Sequence, residues 1–192
     1  MRKSLTFWDI LPPSLITVGV LLLIGHLLIK SRRPEVVEII DDGSTTADEI
    51  PDEPAITQEK NVTIHYKVIR DALPASVPDD TAKILTAHAM HETGVFKSRL
   101  YREQNNLFGM RHPTIRDTLS RGDVDGFADF KTLEDSVLDL LLYFKEFGLK
   151  PVWKQPDTFV KAIKSKGYFE ESYIPYVMAV KKHYAKVKML IQ

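Results

Sequence analysis

The chain has 192 residues, with 26 lysines and arginines against 26 aspartates and glutamates, so its overall charge offers nothing to a polyanion such as nucleic acid. It contains no cysteine, which excludes disulfides and thiolate metal sites and leaves reducing and oxidising compartments equally open. The length fits one ordinary domain with appendages.

In chain order, a tail of residues 1–10 leads into a transmembrane helix expected at 11–30. The row LPPSLITVGVLLLIGHLLI, Leu11 to Ile29, has no formal charge apart from whatever His26 carries. It matches the roughly 20 apolar residues that span a bilayer core. No small-x-small cleavage site follows, because the run passes straight into Lys30-Ser31-Arg32-Arg33, so an uncleaved anchor is expected instead of a signal peptide. Arg2, Lys3 and the terminal amine on one flank nearly balance Lys30, Arg32 and Arg33 on the other, and charge leaves the orientation open. His26 is read as a neutral side chain tolerated near an interface.

Residues 31–60 carry nine acids against Arg32, Arg33 and Lys60, a net charge of −6, with prolines and small polar residues and no sustained apolar period. That composition self-repels and stays extended, as a flexible tether does. The folded unit is expected over 61–192, with a net charge of +4. Its first run, VTIHYKVI at 62–69, alternates enough for a strand, although so short a piece is also compatible with a helix start.

The row DDTAKILTAHAMHET reads as a helix opened by acids and closed by Gly94. Ile84, His88 and Glu92 fall at i, i+4 and i+8 and share a face. Glu92 therefore leaves the last turn beside a buried stripe, at the end of the helix where the dipole disfavours negative charge. Phe96 to Tyr101 can form a further turn or two before the polar break QNN. The span MRHPTIRDTLSRGDVDGFADFKT, with its RGDVDG turn, is expected to be a small hairpin lobe. Three helical segments follow: LEDSVLDLLLYFKEFG, DTFVKAIKSKG and ESYIPYVMAVKKHYAKVKML. Thr132 and Asp135 suit a capping box, and Gly148 and Gly167 suit helix stops. Leu138, Leu141, Leu142 and Phe144 are expected on the apolar side of the first, and Tyr173, Tyr176, Val177 and Val180 on that of the last.

HAMHE is not a zinc motif, because Thr93, Gly94 and Val95 stand where His-Glu-x-x-His needs its second histidine. His88 and His91 are read as structural or solvated, and no metal or cofactor site is expected. No phosphate-cradling glycine loop or basic helix with interleaved aromatics is present, so no nucleic-acid partner is expected. An acid held against apolar neighbours and a negative helix end would be pushed toward its protonated form, the condition for a general acid. Protonating a glycosidic oxygen is such a task. Asn105 and Asn106 suit hydroxyl or amide groups of a sugar and Phe108 suits its ring face, while Asn can equally cap a turn, Phe108 be core and Gly109 permit a positive φ.

The run His91-Glu92-Thr93-Gly94, then Ser98, then Asn105-Asn106-Leu107-Phe108-Gly109-Met110 resembles the signature of the glucosaminidase domain of bacterial and phage peptidoglycan hydrolases, glycoside hydrolase family 73. There an E-S/T-G segment, a following Ser and an N-N-L-F-G turn form one wall of the substrate cleft. Gly126-Phe127-Ala128-Asp129-Phe130-Lys131-Thr132-Leu133-Glu134-Asp135-Ser136 resembles the family's aromatic stretch, and Lys166-Gly167-Tyr168 with Tyr173 its Gly-Tyr segment. The resemblance covers about residues 65–188 and implies a mainly α, α+β lysozyme-like fold: a helical body with a small β-hairpin lobe, here preceded by one transmembrane helix and a linker. It implies an endo-acting cut of the glycan strand after N-acetylglucosamine. By that match Glu92 is the general acid, Tyr168 a cleft residue that assists, and Ser98, Asn105, Asn106, Phe108 and Gly109 the substrate wall. A partner carboxylate would come from the variable lobe, where Asp117, Asp123 and Asp125 stand with nothing in the residues to choose among them, and Asp125 is taken as the candidate; a substrate 2-acetamido group can replace it. The alternatives are a wall-binding or assembly module without turnover, and a lytic transglycosylase on the same fold. The implied partners are peptidoglycan glycan strands and, through residues 11–29, the lipid bilayer. The implied location is the cytoplasmic membrane with the C-terminal domain on the extracytoplasmic side.

Overall fold

The computed structural model describes residues 55–192. The expected tail at 1–10, the transmembrane helix at 11–30 and the linker as far as residue 54 lie outside the described residues. Among the described residues, six helices and one hairpin follow in the order α1 (Ala55–Ala72), α2 (Asp79–Glu92), α3 (Arg99–Gln104), β1 (Gly122–Val124), β2 (Phe127–Asp129), α4 (Leu133–Glu146), α5 (Pro156–Lys164) and α6 (Tyr173–Leu190). None of these helices is long and apolar enough to cross a membrane. The expected helical body with a small β lobe is what the chain forms.

Two boundaries differ from the sequence reading. The possible strand at 62–69 is the middle of α1, which already begins inside the stretch assigned to the linker. The alternation in VTIHYKVI is coincidental: Val62, His65, Ile69 and Leu73 are buried, at helical spacings, whereas Ile64, which a strand would set beside Val62, is 46% exposed.

Helix α2 is the centre of the body, packed against α1 and α6, while α5 lies on α6. Nearly every residue from Thr81 to Met90 is buried, and Ala82, Ala87 and Ala89 let neighbouring elements approach its backbone. Asp79 and Asp80 in its first turn complement the helix dipole. Thr81 Oγ1 donates to the Trp153 carbonyl at 2.8 Å, tying that turn to the segment before α5. Phe108, Phe130, Phe144, Phe159 and Ile163 are fully buried in the same core. Each contributes about 1.5–3 kcal/mol by leaving water.

Thr132 and Asp135 form the expected capping box of α4: the Asp135 N–H donates to Thr132 Oγ1, and Asp135 Oδ2 accepts from the Thr132 N–H. The buried side of α4 is offset from the expected one, running through Ser136, Val137, Asp139, Leu140, Tyr143 and Phe144, while Leu138 is 38% exposed. In the hairpin Gly122 pairs with Asp129 and Val124 with Phe127. The two-residue turn between them, Asp125-Gly126, has φ of 53° and 85°, as a tight antiparallel turn of this hand demands.

Candidate active site

Glu92 is the last residue of α2. Beyond it the backbone is left-handed for three residues: Gly94, Val95 and Phe96 have φ of 56°, 60° and 64°. For a β-branched residue such as Val95 that conformation is strained. It is held by the Val95 N–H on the Met90 carbonyl at 2.7 Å, and by Thr93 Oγ1, which donates to the Ala89 carbonyl at 2.6 Å and accepts from the Phe96 N–H at 2.8 Å. The turn delivers the Phe96 ring onto His65, stacked at 3.8 Å, and the burial offsets the strain. The helical turn expected over 96–101 thus starts later, at Arg99, with Ser98 as its cap: the Ser98 hydroxyl accepts from the Tyr101 N–H. Ser98 serves the backbone in this way.

Only 20% of the Glu92 side chain is exposed. The Tyr176 hydroxyl donates to Glu92 Oε1 in a short hydrogen bond, and His88 Nε2 lies 2.8 Å from the Tyr176 oxygen and 3.4 Å from Oε1. Since the single hydroxyl proton of Tyr176 is given to Glu92, the Tyr176 oxygen accepts from His88 Nε2, and the chain of donors runs from His88 to Tyr176 to Glu92. Tyr176 is fixed by Phe169, parallel to its ring at 3.7 Å, and by His91, edge-on at 4.4 Å.

These neighbours correct the expectation that Glu92 is pushed toward its protonated form. Burial does raise its pKa, but the hydrogen bond and charge offered by His88, the Tyr176 hydroxyl and His91 outweigh burial and hold the carboxyl below its usual range. Tyr176 itself is driven far above an ordinary phenol by burial and by the Glu92 charge. It therefore stays a donor.

The NNLFG turn is built differently from the sugar-binding wall expected of it. Asn105 sits at φ 50° as the cap of α3, and its Nδ2 donates to the Phe130 and Lys131 carbonyls at 3.0 and 3.2 Å. Asn106 is fully buried: Nδ2 donates to the carbonyls of Met110 and Ala128, and Oδ1 accepts from the N–H groups of Phe108 and Met110. Phe108 is fully buried beside His88. Neither Asn106 nor Phe108 has a surface to offer a ligand. Their work is to present Gly109, whose φ is 61° and where a Cβ would stand 2.8 Å from Glu92 Oε2. The Leu107 N–H donates to Ser136 Oγ, and Ala128 and Met110 are joined by a backbone hydrogen bond at 2.8 Å. The separated motifs are thus one hydrogen-bonded unit behind Glu92.

Tyr168 completes the wall. Its hydroxyl donates to the Phe108 carbonyl at 2.6 Å, and burial pushes its pKa well above the ordinary value. A cleft of roughly 720 Å³ opens in front of Gly109 and Tyr168. Phe127, Tyr143, Phe147 and Phe169 supply aromatic surface to it, Arg111 and Lys166 positive charge, and Glu146 and Glu170 negative charge. Glu92 is not one of the residues lining this cleft; its Oε2 lies next to Gly109, which is.

The second carboxylate is not brought to that edge by any hydrogen bond of the hairpin acids. Asp125 is exposed at the turn and paired with Arg99 at 2.7 Å, and Asp123 accepts from the Gly126 N–H. Asp117 is exposed on the preceding loop. The acid that sequence reasoning missed is Asp139, fully buried in α4, which takes a bidentate Arg116 at 2.7 and 3.2 Å, the Thr118 hydroxyl at 2.6 Å and the Leu119 N–H at 2.9 Å. It anchors the loop carrying Arg111 and His112 along the cleft. Its signal was a lone aspartate inside the apolar row VLDLLL.

Residues 79–190 match the sequence model of the family described as "Glucosaminidase: Mannosyl-glycoprotein endo-beta-N-acetylglucosaminidase". A chain of the "Structure of a type VI secretion system effector-immunity complex from Pseudomonas protegens" is similar in structure, with a TM-score of 0.50 and 20% identity, over 68% of this chain and 96% of that one. At that identity the likeness concerns the fold. No curated protein matches the chain.

Proposed function

We propose, from the premise that the chain belongs to the glucosaminidase family, that it hydrolyses the glycan strand of peptidoglycan as an endo-β-N-acetylglucosaminidase with Glu92 as general acid. The observation that carries the reading is the pairing of Glu92 with Gly109: a largely buried carboxylate whose Oε2 faces a backbone position without a side chain, in the wall of an aromatic-lined cleft. Aromatic faces suit sugar rings, and Arg111 and Lys166 suit the carboxylates of a peptide-bearing strand. With the carboxyl held below its usual range, the acid form is replenished toward low pH, so activity is greatest on the acidic side of neutrality.

In this reading the proton passes from Glu92 to the glycosidic oxygen as the C1–O bond breaks. With Asp125 engaged by Arg99, the substrate 2-acetamido oxygen attacks C1 as internal nucleophile, and water then opens the cyclic intermediate. Residues 11–29 anchor the chain in the cytoplasmic membrane with the domain outside, a placement that rests on their hydropathy and on where peptidoglycan lies. Protease shaving of spheroplasts tests the orientation, and protection of the C-terminal domain would refute it.

The decisive experiment is mass spectrometry of purified wall digested by the full chain and by Glu92→Gln. Products with N-acetylglucosamine reducing ends, absent with the variant, support the reading. Anhydro-ended products identify a lytic transglycosylase, wall sedimentation without released sugar identifies a binding module, and unchanged release by Glu92→Gln removes Glu92 from the chemistry.

A further inference from the structure

The mechanism above uses one oxygen of Glu92, yet the two oxygens have unlike surroundings. Oε1 accepts the Tyr176 hydroxyl, with His88 Nε2 behind it at 3.4 Å. Oε2 faces Gly109, where even a methyl group would stand 2.8 Å away. Tyr176 has little freedom to leave Oε1. Its ring is buried, stacked on Phe169 at 3.7 Å with 3° between the planes and flanked edge-on by His91 at 4.4 Å, and its oxygen is within 2.8 Å of His88 Nε2. Phe169 is held in turn by Lys164, whose ammonium lies 4.7 Å from the Phe169 ring centroid and donates to the carbonyls of Phe169, Glu170 and Glu171 at 3.0, 3.2 and 2.8 Å.

We infer that Tyr176 is the positioning residue of Glu92: by occupying Oε1 as a permanent donor it leaves Oε2, on the Gly109 side, as the only oxygen that carries and releases the transferable proton. This rests on the reading of Glu92 as general acid. A carboxylic acid still accepts through its carbonyl oxygen, less strongly than a carboxylate does, so the Tyr176 bond persists in both protonation states, favours the charged form and fixes which oxygen is the carbonyl. The groups that face this carboxyl are His88 and His91 from α2, Tyr176 from α6, and Tyr168 from the loop before α6. Glu171 acts on His91 and Tyr176, and His91 acts on His183. Removing the Tyr176 hydroxyl deletes a donor to the charged form while leaving the ring stack intact.

The test is a carboxyl 13C titration of the full chain in detergent, with the Glu92 signal identified by its loss in Glu92→Gln, for wild type, Tyr176→Phe and Tyr184→Phe. Tyr184 is also buried on α6 and donates to Asp80, so its variant costs a comparable hydrogen bond away from Glu92. We expect the Glu92 midpoint to move to higher pH in Tyr176→Phe and to stay in place in Tyr184→Phe. Against wall substrate, Tyr176→Phe should lower kcat roughly 10- to 100-fold with KM little changed, and should carry the basic limb of the pH profile upward. A Glu92 midpoint that coincides in wild type and Tyr176→Phe overturns the inference, as does an equal shift in Tyr184→Phe. A shifted midpoint in a protein whose wild type releases no sugar sinks the glycosidase reading and upholds the hold of Tyr176 on Oε1.

Discussion

Glu92 Oε2 and Gly109 are separated by less than one methyl group: a Cβ built on Gly109 lies 2.8 Å from that oxygen, on a residue whose φ of 61° already disfavours a side chain. The turn and the carboxylate are therefore fitted to each other. Gly109→Ala should displace the carboxylate and strain the turn together, lowering wall hydrolysis by about 100-fold and stability by roughly 1 kcal/mol or more. Sugar release measured beside thermal unfolding checks both, and an active Gly109→Ala protein would show that Oε2 need not sit where it does.

Asn106 gives the clearest separation of scaffold from substrate contact. Its side chain makes four hydrogen bonds to backbone groups and is fully buried, so Asn106→Ala strands buried donors and acceptors and should cost roughly 3 kcal/mol without any substrate present. Denaturant unfolding reads the loss. An Asn106→Ala protein of native stability with weakened wall binding would return this residue to the sugar-binding role first expected of it.

Arg116 and Asp139 are a buried ion pair, with 6% and none of their side chains exposed. Arg116→Ala leaves the Asp139 carboxylate uncompensated apart from Thr118 and Leu119, and should destabilise the protein by about 3–5 kcal/mol. Because the pair ties the loop at 111–121 to α4, hydrogen exchange of the Leu119 amide should accelerate more than that of amides in α2. Uniform acceleration across both would show that the pair supports the whole body instead of that wall.

Stability should form a plateau bounded on both sides. Burial lowers the pKa values of His65, His91 and His183, so their contribution is complete above about 6.5, the unfolded value, and is lost as pH falls below it. Glu92, also lowered, adds a second loss as pH falls further. Tyr168 and Tyr176 are raised, so their contribution is complete below about pH 10 and is lost above it, at up to about 1.4 kcal/mol per pH unit for each. A Tm series from pH 4 to 11 checks the sign at each edge. A Tm that holds or rises above pH 10 would contradict the burial of these two hydroxyls.

Much of the body was legible because it is built from local signals. The capping box at Thr132, the Asp125-Gly126 turn and the helix ending at Glu92 depend on neighbours within a few residues. Where a segment's identity depended on distant partners, the reading stayed open. Whether 62–69 was strand or helix turned on which residues met α2 and α4, and alternation alone held no record of that.

Within the site the division falls on the same line. The sequence by itself determined that Glu92 ends a buried helix and that the NNLFG turn, Tyr168 and the GFADFKT stretch belong to one family pattern, since residue type and spacing are local properties. Tertiary structure alone decided that Asn106 and Phe108 face inward, that Asp125 is taken by Arg99, and that Tyr176 reaches Glu92 from 84 residues away. The pKa of Glu92 was misjudged for that reason: burial is visible in an apolar pattern, but the donors that outweigh it arrive from α6, and a hydrogen bond depends on where side chains meet in space.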